Sequence, residues 1–383
     1  MNNTKRVVLL TAMDPYRDIR AVKIANSLYD EGYDVSLVAG FADKEFVRET
    51  NFSIFDYNIP YNTRASIIKK IIWKFRFFLS SINKVRRIDP HIVHACNIDM
   101  LLLAYLYGFK NKKIIYDSYE ICAHKSGVAS ESKTLSKLIE NTEKFLIKKI
   151  DYMICVSNSA RKYFIDKYGV KNIQTITNVP KVKNHKIFGP TNIPRCVLYL
   201  GNFSVNRGIE ELILAGRYID PLVAKIHLQG YGAYKEEYLN IIQDNNLGRI
   251  VHLIPPIMPD AVIDEISEKA DIGVVLTKPT SINHQLTVSN KIFDYINAGL
   301  PVIMSNVEEH KYINEKYNIG IILDDITPKN ISDAIMKLSS KNDLYSFFSK
   351  NCLDAAKSLN WNREELKLLN IYNSISGERN KVD

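Results

Sequence analysis

The chain has 383 residues, 46% of them hydrophobic, and a net charge of +9. That length exceeds what a single core usually holds, so two well-filled domains are expected. No run of about 18 apolar residues is present to span a bilayer, and the positive excess asks for an anionic partner: nucleotide phosphates, lipid head groups or nucleic acid. The apolar piece after Met1-Asn-Asn-Thr-Lys-Arg6 is too short for a signal peptide. Cys96, Cys122, Cys155, Cys196 and Cys352 are scattered without a C-x-x-C pair, which reads as buried thiols in a reducing cytosol, not disulfides or zinc ligands.

Apolar runs alternate with longer amphipathic segments along the whole chain, the pattern of a parallel α/β sheet. The first strand is Arg6-Val-Val-Leu-Leu-Thr11. Ala12-Met-Asp-Pro-Tyr-Arg17 follows it where a dinucleotide-binding fold would place G-x-G-x-x-G, which argues against a nicotinamide or flavin dinucleotide fold. A helix carrying Asp18 and Arg20 runs to Gly32, and Tyr33 to Ala39 forms the second strand. Arg20 suits either a phosphate or acceptor contact or a structural cap with Asp18. Residues 64–87 are predicted as a helix whose core face is Ile68, Ile71, Ile72, Phe75, Phe78, Leu79, Ile82 and Val85. Outside that face stand Lys69, Lys70, Lys74 and Arg76 among Trp73 and Phe77, with Arg64, Lys84, Arg86 and Arg87 extending the run. This is either a solvated basic face or a docking surface for an anionic membrane. His91 to Asp99 and Lys113 to Glu120 are strands that run into polar loops, where parallel sheets bind ligands. A helix over 131–149, a strand from Asp151 to Ser157, a helix capped by Ser157 and a strand from Gln174 close the first half.

Residues 181–194, basic with Gly and two Pro, read as a linker. Cys196-Val-Leu-Tyr-Leu-Gly201 is a strand, followed by Asn202-Phe-Ser-Val-Asn-Arg207-Gly208 and a helix from Ile209. A glycine ending a strand before a basic loop and a helix start is a phosphate-site layout. Ile226 to Gly232 is a strand ending in G-x-G at Gly230. Ile250, Ile272 and Ile319 begin further strands. Thr287 to Met304 reads as a short helix, a glycine stop at Gly299 and a buried strand from Pro301. Ser289 is the expected N-cap, its hydroxyl accepting from a first-turn amide. Asn290, Lys291, Asp294 and Asn297 share one face of that helix, and Ile292, Phe293 and Ile296 the other. The polar face suits a nucleotide, with Lys291 and the helix amides on phosphates and Asp294 on ribose hydroxyls, although the same face in isolation fits a solvated i,i+3 pair. Asn360 to Tyr372 is a closing helix, and 378–383 a frayed tail.

Asn290-Lys-Ile-Phe-Asp-Tyr-Ile-Asn-Ala-Gly-Leu-Pro-Val-Ile303 closely resembles the donor-binding segment of retaining GT-B glycosyltransferases of family four, whose usual wording is Asn-Lys-Leu-Phe-Glu-Tyr-Met-Ala-Ala-Gly-Leu-Pro-Val. Val93-His-Ala-Cys-Asn97, Tyr116-Asp-Ser-Tyr-Glu120 and the spacing from Gly201 to Arg207-Gly208 are similar to further segments of that family. The resemblance implies an α/β GT-B fold: two Rossmann-like parallel-sheet domains facing a cleft, with a C-terminal helix crossing back. Residues 1–182 would form the acceptor domain, 195–358 the donor domain, and 359–383 the returning helix and tail. It implies an enzyme without a cofactor, moving a sugar from a nucleotide-diphosphate sugar to a lipid-linked glycan acceptor in cell-surface polysaccharide assembly. The sequence offers no dense carboxylate or histidine cluster for a metal, so metal-independent chemistry is expected. Such an enzyme would work in the cytoplasm, peripheral at the inner face of the membrane, with 64–87 on the anionic surface. Arg207 and Lys291 would be catalytic, neutralising the departing diphosphate. Gly201, Asn202, Gly230, Ser289, Asn290 and Asp294 would complete the donor site, and Asp18, Arg20, Tyr119, Glu120 and His124 would lie on the acceptor side. Three positions depart from the family: Leu286 and Asn202 replace an acidic residue and an arginine of the donor site, and Tyr119 replaces a histidine near the reacting sugar. These departures support an alternative reading, a nucleotide-sugar-binding scaffold without turnover. A nucleic-acid partner is disfavoured because the basic residues concentrate on one helix and no RNA or DNA module is visible.

Overall fold

The computed structural model describes residues 4–40, 49–57, 67–108, 112–125, 132–181, 194–257 and 262–377. The expected linker, the tail over 378–383, Arg64, Glu131 and the side chains of Ile68, Lys70, Ile71 and Lys74 fall almost wholly outside that set. The chain divides into two units, Met1–Thr177 with Glu364–Asp383, and Asn178–Arg363.

The first unit has strands β1 (Arg6–Thr11), β2 (Asp34–Ala39), β3 (Ser53–Asp56), β4 (Ile92–Cys96), β5 (Lys113–Ser118), β6 (Tyr152–Cys155) and β7 (Ile173–Thr175). Its helices are α1 (Ile19–Asp30), α2 (Ile67–Ile88), α3 (Asn97–Leu106), α4 (Lys133–Ile147) and α5 (Asn158–Tyr168). The second has strands β8 (Arg195–Asn202), β9 (Ala224–Tyr231), β10 (Val251–Ile254), β11 (Ile272–Val275), β12 (Val302–Ser305) and β13 (Gly320–Leu323). Its helices are α6 (Ile209–Ala215), α7 (Lys235–Asp244), α8 (Val262–Lys269), α9 (Ile282–Leu286), α10 (Asn290–Asn297), α11 (Glu308–Tyr317), α12 (Pro328–Ser340) and α13 (Asn342–Ala356). The last helix, α14 (Trp361–Ser376), begins in the second unit and runs into the first. The sheets have strand orders β3-β2-β1-β4-β5-β6-β7 and β10-β9-β8-β11-β12-β13, with every pair parallel. These are two Rossmann-like α/β units, the GT-B architecture.

Local chemistry explains the element ends. Asp18 caps α1 by accepting from the Ala21 amide at 3.0 Å. Ser157 does the same for α5 through Ala160, and that helix stops at Gly169 with φ +67°. Strands β1, β4 and β11 are buried almost throughout, because helices cover both faces of a parallel sheet. All five cysteines are free, Cys122 half-buried and the others buried. Among the described residues no helix is long and apolar enough to cross a membrane.

Helix α2 turns a different face inward from the expected one. Ile72, Phe75 and Leu79 are 50%, 61% and 50% exposed, whereas Phe77 and Ser81 are buried, and of the expected face Val85 alone is among the fully buried described residues. Trp73 is half-buried. Apolar residues lie on both sides of this helix, so periodicity alone left its rotation open. Specific contacts decide it: Phe77 packs against Gly40 and edge-on to Tyr57, centroids 6.0 Å apart. The Tyr57 hydroxyl donates to the Ser80 carbonyl at 2.8 Å, and the Lys84 ammonium sits 3.3 Å above the Phe55 ring.

Candidate functional site

In the second unit the strand order reverses between β8 and β11, and open parallel sheets bind ligands at strand carboxyl ends beside such a reversal. The loops leaving those strands are joined there. The Lys278 amide donates to the Asn206 carbonyl at 2.9 Å, and a Cβ on Gly208 would stand 2.8 Å from the Leu276 carbonyl oxygen. Gly201, at φ +112°, pairs with Gly230 across β8 and β9. A Cβ on Gly230 would fall 1.8 Å from the Gly201 carbonyl oxygen, so close strand approach is what requires glycine at 230.

Lys291 lies in the first turn of α10. Its stem crosses the end of β8 over Gly201, where a Cβ would meet Lys291 Cε at 2.8 Å. Its Nζ donates to the Tyr199 hydroxyl at 3.1 Å and lies 4.3 Å above that ring. Burial, then the nearby Arg207 charge, push the Lys291 amine down to about 7, against the opposing pull of Asp294. Arg207 is half-buried, and its guanidinium makes no hydrogen bond or ion pair with another described residue. Two cations therefore share one site in which their mutual repulsion outweighs the nearest carboxylate. An anion with more than one charge satisfies both.

The other donor-side residues gather at this point with some differences from expectation. Ser289 is the N-cap of α10, with the extended backbone usual there, but its hydroxyl makes no capping bond. Its carbonyl instead accepts from the Ile292 amide at 3.1 Å. Asn202 and Asn290 are exposed, while Asp294 and Leu286 are half-buried. Asn297, expected on the polar face, is buried and donates to the carbonyls of Phe293 (2.9 Å) and Leu359 (3.3 Å). Lys291 is half-buried against Tyr199, not solvent-facing.

In the first unit, Asp18 and Tyr119 come together: the phenol stands 3.4 Å from both Asp18 oxygens, and Thr11 donates to the same carboxylate at 2.8 Å. Burial raises the Asp18 carboxyl above its usual range, offset by the Ala21 amide and Thr11. Arg20 does not pair with Asp18. Its guanidinium is buried and bidentate on Asp117, both bonds 2.8 Å, with a third 2.8 Å bond to the Ile176 carbonyl. Each of its three nitrogens donates to a buried partner, so it serves as a structural cation within the first unit. Glu120 pairs with Lys125 at 2.6 Å. His124 turns toward Glu140 on α4, 2.9 Å away, and edge-on to Tyr163 on α5.

The family described as Glycosyltransferase Family 4 matches residues 19–179, and that described as Glycosyl transferases group 1 matches residues 180–353. The chain is a GT-B glycosyltransferase. It is 24% identical over 378 residues to an uncharacterised glycosyltransferase of Methanocaldococcus jannaschii, covering 90% of this chain and 91% of that one. Among solved structures it is similar to sucrose-phosphate synthase of Thermosynechococcus elongatus, with TM-score 0.82, 17% identity and 97% and 99% of the two chains covered. HepE of Anabaena, solved with UDP-glucose, gives TM-score 0.76 at 12% identity over 96% and 99% of the chains.

Two residues of this glycosyltransferase's donor-side region escaped the sequence reading. Tyr199 seats Lys291. Tyr295 locks α10 to β8, its hydroxyl donating to the Leu198 carbonyl and accepting from the Leu200 amide, each at 3.0 Å. The β11–β8 ladder ends at Gly273 opposite Leu198, so the phenol takes the place of a strand partner. A Cβ on Gly273 would stand 2.3 Å from the Tyr295 ring; a glycine inside a β-branched strand was the available signal. For Tyr199, a core position in a strand, periodicity carries no signal beyond burial.

Proposed function

We propose that this glycosyltransferase takes its sugar from a nucleotide-diphosphate donor bound in the second unit. The observation that carries the reading is the pair of cations, Lys291 and Arg207, held together at the strand-order reversal with no bond or ion pair between Arg207 and any described carboxylate. A diphosphate bridges both. As the bond from sugar to phosphate breaks, negative charge grows on the leaving oxygen, and preorganised cations stabilise that charge more than the ground state, each by roughly 3 kcal/mol. The same charges make the reaction independent of a metal ion in this reading. Asp294 accepts from the ribose hydroxyls. Retention of anomeric configuration is the outcome we assign, on the strength of the donor-segment wording. The UDP and UDP-glucose bound to similar folds support a uridine donor.

The acceptor side falls to the first unit, where the half-buried Tyr119 phenol stands just past the carboxyl end of β5 against the buried Asp18 carboxylate. We assign a lipid-linked glycan as acceptor and the cytoplasmic face of an anionic membrane as the place of work. Its support is α2, whose exposed Ile72, Phe75 and Leu79 lie beside exposed Lys69 and Arg76, apolar side chains flanked by cations. The deciding experiment is a panel of nucleotide sugars screened for thermal stabilisation, followed by turnover with the stabilising donor in EDTA. Stabilisation without transfer to any lipid-linked acceptor identifies a binding scaffold instead, and loss of turnover in EDTA removes metal independence.

A further inference from the structure

Tyr199 is 1% exposed, and a phenol that deep needs partners for its hydroxyl. The only hydrogen it owns goes to the Asn202 carbonyl at 2.8 Å. The oxygen is then free only to accept, and the Lys291 ammonium donates to it. Tyr199 packs with Phe203 and Ile209 on one face of the sheet. Leu198, Leu200 and the apolar side of α10 pack on the other. Lys291 therefore reaches Tyr199 only by crossing the strand end, and Gly201 is the gap it passes through. Seat and gap are two residues apart on one strand, the spacing that returns a position to the same side.

We propose that Tyr199 is a positioning residue for the donor, fixing both the Lys291 cation and the Gly201–Asn202 turn for the diphosphate. This rests on the reading of Lys291 and Arg207 as the diphosphate's partners. One hydroxyl ties the carbonyl of the turn to the cation, so the two cannot move independently. It also occupies a carbonyl oxygen whose negative end would otherwise repel phosphate. The charged groups around the Lys291 amine are Arg207 from the β8–α6 loop and Asp294 from α10, with Tyr199 beneath from β8. The hydroxyl favours the ammonium over the amine, because a hydrogen bond from a charged donor is the stronger.

The test uses inorganic pyrophosphate, which carries the diphosphate without a base, and follows its affinity across neutral pH by calorimetry. Wild-type affinity is expected to fall as pH rises through about 7, where Lys291 loses its proton. Tyr199→Phe keeps the ring and the packing. It is expected to bind about tenfold more weakly at neutral pH, with the midpoint moved to lower pH because the covered ammonium has lost its acceptor. That effect must shrink in a Lys291→Met background to the share carried by the turn, since the rest of it acts through Lys291. A Tyr199→Phe variant with wild-type affinity, or a midpoint unmoved or raised, overturns the proposal while Lys291→Met alone still weakens binding. An undiminished Tyr199→Phe effect in the Lys291→Met background overturns it equally. Lys291→Met binding pyrophosphate like wild type overturns the diphosphate reading and the role of Tyr199 with it.

Discussion

Burial and Arg207 hold the Lys291 amine at about 7 against an ordinary 10.5. Between those values the unfolded chain binds a proton that the folded chain does not, so this group makes stability rise with pH. The penalty is full below about 7 and gone above 10.5. Lys291→Met should therefore raise the thermal midpoint of the ligand-free protein in mildly acidic solution, the gain shrinking as pH rises; equal midpoints across the range would contradict the burial of the charge. For turnover the sign is opposite. Lys291→Ala and Arg207→Ala should each lower kcat about a hundredfold or more, and wild-type rates in either purified variant would remove it from the mechanism. Asp294→Asn should weaken nucleoside diphosphate binding about tenfold, a loss of roughly 1.4 kcal/mol. Calorimetry showing unchanged affinity would exclude the ribose contact.

Helix α10 is only as well placed as its attachment to β8. Tyr295→Phe leaves the Leu198 carbonyl and Leu200 amide without their bridge, at a cost of about 1–3 kcal/mol. Because Lys291 sits one turn earlier on the same helix, KM for the donor should rise along with the fall in thermal stability. A lower midpoint with unchanged KM would show that α10 keeps its place without the phenol. Helix α2 makes an independent prediction. Each Lys or Arg near an anionic bilayer contributes about 1 kcal/mol, and the exposed apolar stripe adds insertion. Lys69→Glu/Arg76→Glu should abolish sedimentation with phosphatidylglycerol vesicles, Phe75→Ser should weaken it, and wild-type binding should fade as salt rises. If wild type ignores those vesicles at low salt, or binds phosphatidylcholine equally well, α2 is a solvated face.

At the scale of the whole molecule, the returning helix α14 is joined to the first sheet through a buried polar chain. The Tyr372 hydroxyl lies 2.9 Å from His94 Nδ1, His94 Nε2 lies 3.2 Å from Asp117, and Asp117 holds Arg20. Burial opposes ionisation of Asp117, yet Arg20 and His94 prevail and keep its carboxyl below the usual range. Its contribution is thus present above the ordinary value of 3.8 and is lost as pH falls through the lower folded value. Asp117→Asn leaves the Arg20 guanidinium buried without its carboxylate and should cost about 3–5 kcal/mol, read from urea unfolding of the first unit. A loss below 1 kcal/mol would mean that water replaces the carboxylate.

The alternation of apolar strands and amphipathic helices determined two parallel-sheet units from sequence alone, because burial on both faces writes itself into continuous apolar runs. The helix carrying Lys291, the glycine-ended strand before Arg207 and the cap at Ser157 were legible for the same reason: each depends on neighbours within a few residues. What the tertiary structure decided depends on residues far apart in the chain. Arg20 meets Asp117 and Ile176 only once α1, β5 and the exit of β7 are assembled, so its sequence position beside Asp18 suggested the wrong partner. The rotation of α2 was set by Phe77 against Gly40 and Tyr57, since its sequence is apolar on both sides. Lys291 finds Tyr199 by crossing a strand end to the opposite face of the sheet, a path that no local period encodes.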